Sequence, residues 1–594
     1  MKVSDYIVDF FEKQGLEDMF MVTGGGCMHM VNSFGCSRKI RYWCTHHEQA
    51  AAMAAEAYAK KKNGIGLVLT TCGPGATNAI TGALDCYQDS TPVIFLSGQA
   101  KSRQTVLGAG IEGLRQFGVQ EANIVPIVDS ITKMAVEVCE PDRIRYYLER
   151  AVFEAASGRP GPVWLSIPLD VQSADIAPEE LAGFAPPQER PTASREEIQC
   201  VADLLAQAER PVIVAGHGIR LAGACHLLAR LAEEWQLPVV TPIMGIDVLH
   251  GGHPCNIGRV GTKGTRGGNF AMQNADLILS IGSRLAVSVV GHEYDLFARD
   301  ARVVIVDIDR QEHLKKTIQW DRLIQSDAGA FLEGLLKHPP VRAEGWLSKC
   351  REWKEKYPVI LEKYGDDSAG INYYQFVGML NQRMTADMTV VSDAGSSFYV
   401  VAQAVDLKPG QRHITTGGTA TMGFSLPAAI GVAIAEPGSA VIAVTGDGSF
   451  MQNLQELEVL SYHNLNVKVF VMNNHGYFSI KQTQKKFFQG NLVGESDISG
   501  ISFPAMGKIA DAFGLKYYHL DKIAESERML GNILEEPGPA VIEVEICQDM
   551  EIIPTNASAM RSDGVLVSKP LEDMYPFLDR EEFAAEMIVP PVNL

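Results

Sequence analysis

The sequence predicts an α/β protein built from three doubly wound, parallel-sheet domains. Three observations carry that expectation. Short apolar, partly β-branched runs alternate with helical stretches along the chain, the pattern of parallel sheets covered by helices. Proline-marked breaks at Pro186, Pro187 and Pro191, and again at Pro339-Pro340, divide it. A length of 594 residues suits roughly three or four domains. The breaks predict domains over 1–185, 193–345 and 368–548, followed by a polar, proline-containing tail over 549–594.

With 46% hydrophobic and 21% charged residues the composition is that of an ordinary globular chain. A net charge of −19 argues against nucleic acid or an anionic membrane surface as the main partner. The 11 cysteines are scattered, with no CxxC pair and no zinc spacing, which suits a reducing cytoplasm. There is no 18-residue apolar run and no signal-peptide core near Met1, so a soluble cytoplasmic protein is expected.

In the first domain, 65–71, 92–97 and 162–167 read as strands. Glu48 stands just before the alanine-rich run Ala50 to Ala59, and Lys60, Lys61, Lys62 and Gly64 close that helix. A carboxylate there interacts favourably with the helix dipole. It is not a zinc helix, because position 51 is Ala51 rather than a second histidine. Thr71-Cys72-Gly73-Pro74-Gly75 reads as a turn after a strand. In the second domain, strands are expected at 211–216, 277–282 and 303–307. Gly216-His217-Gly218 is only a partial dinucleotide fingerprint, and on its own reads as a tight turn.

The third domain holds the stretch with the most chemistry. A strand at 389–392 runs into Asp393-Ala394-Gly395-Ser396-Ser397, where Ser396 and Ser397 are candidate phosphate donors at a helix start. Val441 to Thr445 and Val467 to Met472 read as buried strands, with Leu454, Leu457 and Leu460 at helical spacing between them. Gly446-Asp447-Gly448-Ser449 then ends one strand and Asn473-Asn474 the next. A parallel strand–helix–strand unit sets those ends side by side, where open α/β sheets bind ligands. A carboxylate and a carboxamide are hard oxygen donors and suit Mg²⁺, which takes few protein ligands and completes its shell with phosphate oxygens. Gly446 and Gly448 let backbone approach a phosphate, and Ser449 can donate to it.

Residues 446–474 resemble the diphosphate-and-metal motif of thiamine-diphosphate enzymes. Thr421-Met422-Gly423-Phe424 with Leu426-Pro427-Ala428-Ala429 narrows the resemblance to the acetohydroxyacid (acetolactate) synthase-like branch, and it spans residues 1–548. The resemblance implies a pyrimidine-binding first domain, a central Rossmann-like domain and a diphosphate-binding third domain. It makes Asp447, Asn474 and the Gly476 carbonyl the Mg²⁺ ligands. It places Gly73, Asn78, Gly395, Ser396, Ser397, Met422, Gly446, Gly448, Ser449, Gly476 and Tyr477 at the cofactor, with Met422 supporting its bent conformation. Glu48 becomes the catalytic glutamate, hydrogen-bonded to the aminopyrimidine N1′ and promoting the imino tautomer. Gln120 aligns with a glutamine on the substrate side.

The same resemblance implies decarboxylation of a 2-oxo acid such as pyruvate, then carboligation to a second carbonyl. The His-His pair of decarboxylase-like relatives is absent between Thr105 and Glu121, which favours ligation over simple protonation. Val119 stands where these synthases carry phenylalanine and Thr483 where many carry tryptophan, so altered acceptor choice is expected. Gly282-Ser283-Arg284 keeps an arginine of FAD-binding relatives, whereas Ala286-Val287-Ser288 replaces their Asp-Asp-Arg run, and FAD is left open as an occupant of the central domain. A homodimer is the expected minimum active unit and a homotetramer common. Competing readings are a simple 2-oxo acid decarboxylase, an acyl-transferring relative, or an inert binding paralogue. No chemistry attaches to Arg561 or Asp563 in the tail.

Overall fold

The computed structural model describes residues 1–187, 190–343, 345–561 and 564–592; Asp563 lies outside the described residues. Each apolar run that reads as a strand is one, and the strands assemble into three six-stranded sheets. The first contains β1 (Asp18–Met21), β2 (Arg41–Cys44), β3 (Gly66–Thr70), β4 (Val93–Gln99), β5 (Met134–Glu137) and β6 (Val163–Pro168), in the order β2-β1-β3-β4-β6-β5. The second contains β7 (Pro211–Ala215), β8 (Val239–Thr241), β9 (Asn256–Arg259), β10 (Leu277–Ile281), β11 (Arg302–Asp307) and β12 (Arg322–Gln325). Its order, β12-β11-β10-β7-β8-β9, is that of dinucleotide-binding folds. The third contains β13 (Thr389–Ser392), β14 (Arg412–Ile414), β15 (Val441–Gly446), β16 (Val467–Asn473), β17 (Lys516–Leu520) and β18 (Ala540–Glu545). Its order, β14-β13-β15-β16-β18-β17, repeats that of the first. Neighbouring strands are parallel throughout, so the loops that follow the strands gather at one edge of each sheet.

The helix Glu48–Lys62 joins the first and third domains. Ala50 to Ala55, Ala57 and Ala59 are all buried, on every face of the helix, as expected of one covered on both sides. Its outer face packs on the apolar helix Ser425–Ala435 of the third domain. Small residues permit the close approach: a Cβ added to Gly431 would lie 2.0 Å from the Ala54 carbonyl oxygen. Lys60, read from sequence as a charge at the helix end, is buried there. Its ammonium meets Glu56 at 2.6 Å, Asp89 at 2.7 Å and the Thr415 carbonyl at 2.8 Å.

A second junction ties all three domains. Asp247 of the central domain is bound by Arg220 Nε at 2.9 Å and by Arg412 Nε of the third domain at 2.6 Å. Arg412 in turn donates to the Lys60 carbonyl of the first domain at 2.9 Å. Burial alone would raise the Asp247 carboxyl, but the two guanidiniums hold it well below the usual carboxylate range.

The tail, read in the sequence as polar and proline-containing, carries apolar side chains that fold onto the central domain. It forms a hairpin, β19 (Ser558–Met560) with β20 (Leu566–Ser568), and a helix, Arg580–Glu586. Leu571 and Phe583 bury themselves in the core of the central domain. Glu586 accepts from Trp353 Nε1 at 2.7 Å and pairs with Lys349 at 3.0 Å and Lys356 at 2.5 Å. Among the described residues no helix is long and apolar enough to cross a membrane.

Candidate functional site

The β15 and β16 ends stand side by side, with Gly446 in register with Met472. This brings the Gly-Asp-Gly turn against Asn473-Asn474, as the strand–helix–strand pattern implies. Asp447 is buried, and its Oδ1 accepts the Gly448 amide at 2.7 Å while Oδ2 accepts the Gly476 amide at 2.9 Å. Burial pushes its carboxyl up to about 6. The two asparagines do different work. Asn473 turns into the domain, donating to Glu543 at 2.6 Å and accepting the His475 amide at 3.0 Å. Asn474 Oδ1 is buried with no hydrogen-bond partner.

Glycines keep this corner open. A Cβ on Gly448 would fall 2.0 Å from the Tyr477 ring, and one on Gly476 would fall 2.3 Å from the Glu495 carbonyl oxygen. Gly446 faces open space. Across the cleft, Gly395 (φ +62°) starts the helix Gly395–Ala404. Its missing Cβ would lie 3.5 Å from Ser479 Oγ, which is itself buried without a partner. Ser396 is at the same helix start. Ser397, by contrast, is fully buried and accepts the Tyr373 hydroxyl at 2.9 Å. Ser449 is buried on the first turn after Gly446.

Asp393 ties these parts together. Its carboxylate accepts from the Ala394, Gly423 and Ser425 amides at 2.8, 3.0 and 3.1 Å and from Thr445 Oγ1 at 3.0 Å. It thereby fixes the Met422 turn against the β13 and β15 ends. Sequence reading passed over Asp393 and Ser479, and their setting between motif residues was the available signal. Met422 is partly exposed, with Gln452 Nε2 3.9 Å from its sulfur.

The first domain brings Glu48, Gly73, Asn78 and Gln120 to the edge where its strands end. Glu48 is buried at the helix start, beneath an N-cap in which His47 Nδ1 accepts the Gln49 amide at 3.1 Å. Asn78 Nδ2 donates to Glu48 Oε2 at 2.9 Å, and a Cβ on Gly75 would stand 3.1 Å from Oε1. Gly73 (φ +58°) packs directly on Gln120, whose carbonyl oxygen would lie 2.0 Å from an added Cβ. Gln120 is itself left-handed (φ +57°) and exposed. Glu121, also passed over in the sequence, holds it there by accepting the Phe117, Gly118 and Val106 amides, the first two at 2.9 and 3.0 Å. Another link, Glu456, accepts the His46 amide at 3.1 Å, and burial pushes its carboxyl up to about 7.

Comparison with known proteins agrees with this geometry. The family model for the N-terminal TPP binding domain of thiamine pyrophosphate enzymes matches residues 1–121, the central-domain model 198–335, and the C-terminal TPP binding domain model 393–544. The chain belongs to the thiamine pyrophosphate enzyme family. Within that family it falls in the acetolactate-synthase-like branch. It is 31% identical over 567 residues to the acetolactate synthase large subunit of Lactococcus lactis, covering 95% of this chain and 96% of the relative. It is 32% identical over 553 residues to the acetolactate synthase isozyme 1 large subunit of Escherichia coli, covering 93% and 95%. To acetolactate synthase 2, chloroplastic, of Zea mays the figure is 30% over 569 residues, covering 93% and 86%. As in other thiamine pyrophosphate enzymes, decarboxylation or carboligation is the general chemistry, and the outer two domains are cofactor-binding.

The central domain does not present an FAD diphosphate site at its glycine turn. The Gly216 and Gly218 amides donate to the Ile281 and Gly282 carbonyls, both at 2.9 Å, so neither is free for a phosphate. The glycines fill one another's space, with a Cβ on Gly216 falling 2.1 Å from the Gly282 carbonyl oxygen. The helix after the turn is only Gly218–Leu221. FAD, left open by the sequence, therefore finds no support here, and no step is assigned to it.

Proposed function

We propose that this chain is a thiamine-diphosphate- and Mg²⁺-dependent carboligase, which decarboxylates a 2-oxo acid such as pyruvate and joins the remaining unit to a second carbonyl compound, as in acetolactate synthesis. One observation carries most of the reading: Asn474 Oδ1, buried and without a partner, stands at the strand end beside the buried Asp447 carboxylate. An unpaired buried acceptor is costly unless a ligand satisfies it. Among the described residues no cluster of three or more His, Cys, Asp or Glu side chains could hold a metal. One carboxylate with amide and carbonyl oxygens is instead the set a Mg²⁺ ion takes when phosphate oxygens complete its shell.

In this reading Asp447, Asn474 and the Gly476 carbonyl hold the metal. Gly395, Ser396, Gly446, Gly448, Ser449 and the unpartnered Ser479 hydroxyl face the diphosphate, with Tyr477 closing the corner. Ser397 acts at one remove, through Tyr373 and the helix start. Met422, held by Asp393, supports the cofactor from beneath. Glu48 keeps one oxygen on Asn78 and offers the other to the pyrimidine ring, holding a proton there; Asn78 is then a positioning residue. Gly73 sets Gln120 where its carboxamide can donate to a substrate. When bound, thiamine diphosphate supplies the carbanion-stabilising centre at which the 2-oxo acid loses CO₂.

Two copies form the minimum unit in this reading, and a tetramer is compatible with it. Leu107, Ile111, Phe117 and Val119 are 59%, 60%, 56% and 85% exposed in a single chain, on the segment that carries Gln120. An apolar cluster of that kind beside a site calls for a covering surface.

Incubation with pyruvate, thiamine diphosphate and Mg²⁺, with products identified by mass spectrometry, tests the proposal. Acetolactate or another ligated product is expected. Acetaldehyde alone would replace ligation by simple decarboxylation, and unconsumed pyruvate would contradict the substrate.

A further inference from the structure

A cavity of about 1220 Å³ lies where the three domains meet, bounded by Gln88 to Ser90 of the first, Gly282 to Val289 of the central and Tyr399 with Gly417 to Ala420 of the third. Its carboxylates are already committed. Asp89 binds Lys60 at 2.7 Å, Glu312 binds Arg159 at 2.7 Å and Lys315 at 2.6 Å, and Asp327 caps a helix through the Ala330 amide at 2.9 Å. Asp307 accepts the Asp309 amide at 2.9 Å and stands 3.2 Å from His313.

Besides the paired Arg159, the wall carries three cations with no ion pair among the described residues: Arg190, which is exposed, Arg284, which donates to Gln88 Oε1 at 3.5 Å, and Lys263, which is partly buried. Lys263 lies in the turn between β9 and the helix Arg266–Gln273, on the strand-end edge where α/β sheets present ligand-binding residues. Its ammonium has a long contact, 3.4 Å, to the Ile552 carbonyl and stands 5.6 Å from the Tyr399 ring centroid. Among the described residues no carboxylate lies within ion-pair distance of it. Burial, together with the nearby Lys486, pushes it down to about 8. A cation so placed gains from an anion brought in by a ligand. Tyr399 belongs to the helix that begins at Gly395 and Ser396, and Lys486 to the helix that follows Tyr477. Lys263 thus stands where the cavity adjoins the candidate cofactor site.

We propose that Lys263 anchors the anionic group, carboxylate or phosphate, of the second substrate, in a cavity that accommodates an acceptor larger than pyruvate. The assignment rests on the carboligase reading for the identity of its ligand, and on the cavity alone for the anion site. It also gives a physical basis for an acceptor choice that Val119 and Thr483 leave less restricted.

The test compares acceptors with and without an anionic group, each pair read as a ratio in parent and variant, with pyruvate as donor and the protein loaded with thiamine diphosphate and Mg²⁺. Glyceraldehyde 3-phosphate is set against glyceraldehyde, and 2-oxobutyrate against propanal. Lys263→Met is expected to lower the anionic-to-neutral ratio of acceptor kcat/KM by about tenfold or more, and Lys263→Arg to recover part of it. An unchanged ratio would overturn the proposal. Calorimetric titration of the same proteins with oxamate and with inorganic phosphate needs no turnover, and so separates this proposal from the reaction it serves. Binding weakened about tenfold in Lys263→Met upholds the anion site even if no ligated product forms. Equal affinity in both proteins, binding of neither anion, or a flavin absorbance band in the purified protein would overturn it.

Discussion

Asn78 holds Glu48: its side-chain amide donates to Glu48 Oε2 at 2.9 Å, across the gap between the Pro74–Asn78 turn and the start of the Glu48–Lys62 helix. One carboxylate oxygen is thereby fixed and the other left toward Gly75. Glu48→Gln keeps an acceptor for Asn78 but loses the charge. Turnover is expected to fall by about 10²-fold or more, with the melting temperature unchanged. Asn78→Ala frees the carboxylate without removing it, and a smaller loss, about tenfold, is expected. Assays of CO₂ release beside thermal melts check both; undiminished turnover in Glu48→Gln would remove Glu48 from the chemistry.

Glu121 anchors the segment that carries Gln120 through three backbone amides. Charge-assisted bonds of this kind contribute about 1.5–3 kcal/mol each when lost singly from a buried acceptor. Glu121→Ala should loosen residues 102–120 while leaving the three sheets intact. Limited proteolysis is expected to cut there first, and ligated product to fall relative to CO₂ released. Equal protease resistance in both proteins would show that the segment is held by other contacts.

The Asp247 junction gives a pH dependence with a definite sign. Its folded carboxyl is held below the unfolded value by Arg412 and Arg220 against the opposing effect of burial. The stabilisation is therefore complete above the unfolded carboxylate pKa of about 4 and is lost progressively as the pH falls below it. Breaking a buried pair from one side costs about 3–5 kcal/mol, so Asp247→Asn should melt well below the parent at neutral pH. The gap between the two melting curves should narrow below pH ~4. A gap that is constant with pH would mean that the charge of Asp247 does not contribute.

Much of this was legible in the chain because it is local. Val441 to Thr445 ends in Gly446-Asp447-Gly448, and parallel pairing with β16 follows from strand–helix–strand order; so does the meeting of Asp447 and Asn474. What could not be read depends on residues far apart. Lys60 looked like a charge at a helix end, yet it is buried by Asp89 and by Thr415, which is 355 positions away. Asn78 was placed at the cofactor, and its side-chain amide also donates to Glu48, 30 positions earlier. Ser396 and Ser397 are equivalent in sequence, but only Ser397 is bonded to Tyr373, because successive residues of a helix point about 100° apart. The tail gave no sign in sequence of where it docks, because Leu571 and Phe583 find a core built by residues nearly 300 positions earlier.

The most direct test of the account is titration calorimetry of thiamine diphosphate into the intact protein and into Asp447→Ala and Asn474→Ala. Binding that requires Mg²⁺, is abolished by a chelator, and weakens by about 10²-fold or more in each variant is predicted. Affinity that is independent of Mg²⁺, or unchanged when Asp447 is removed, would contradict the assignment of the two strand ends as the metal and diphosphate site.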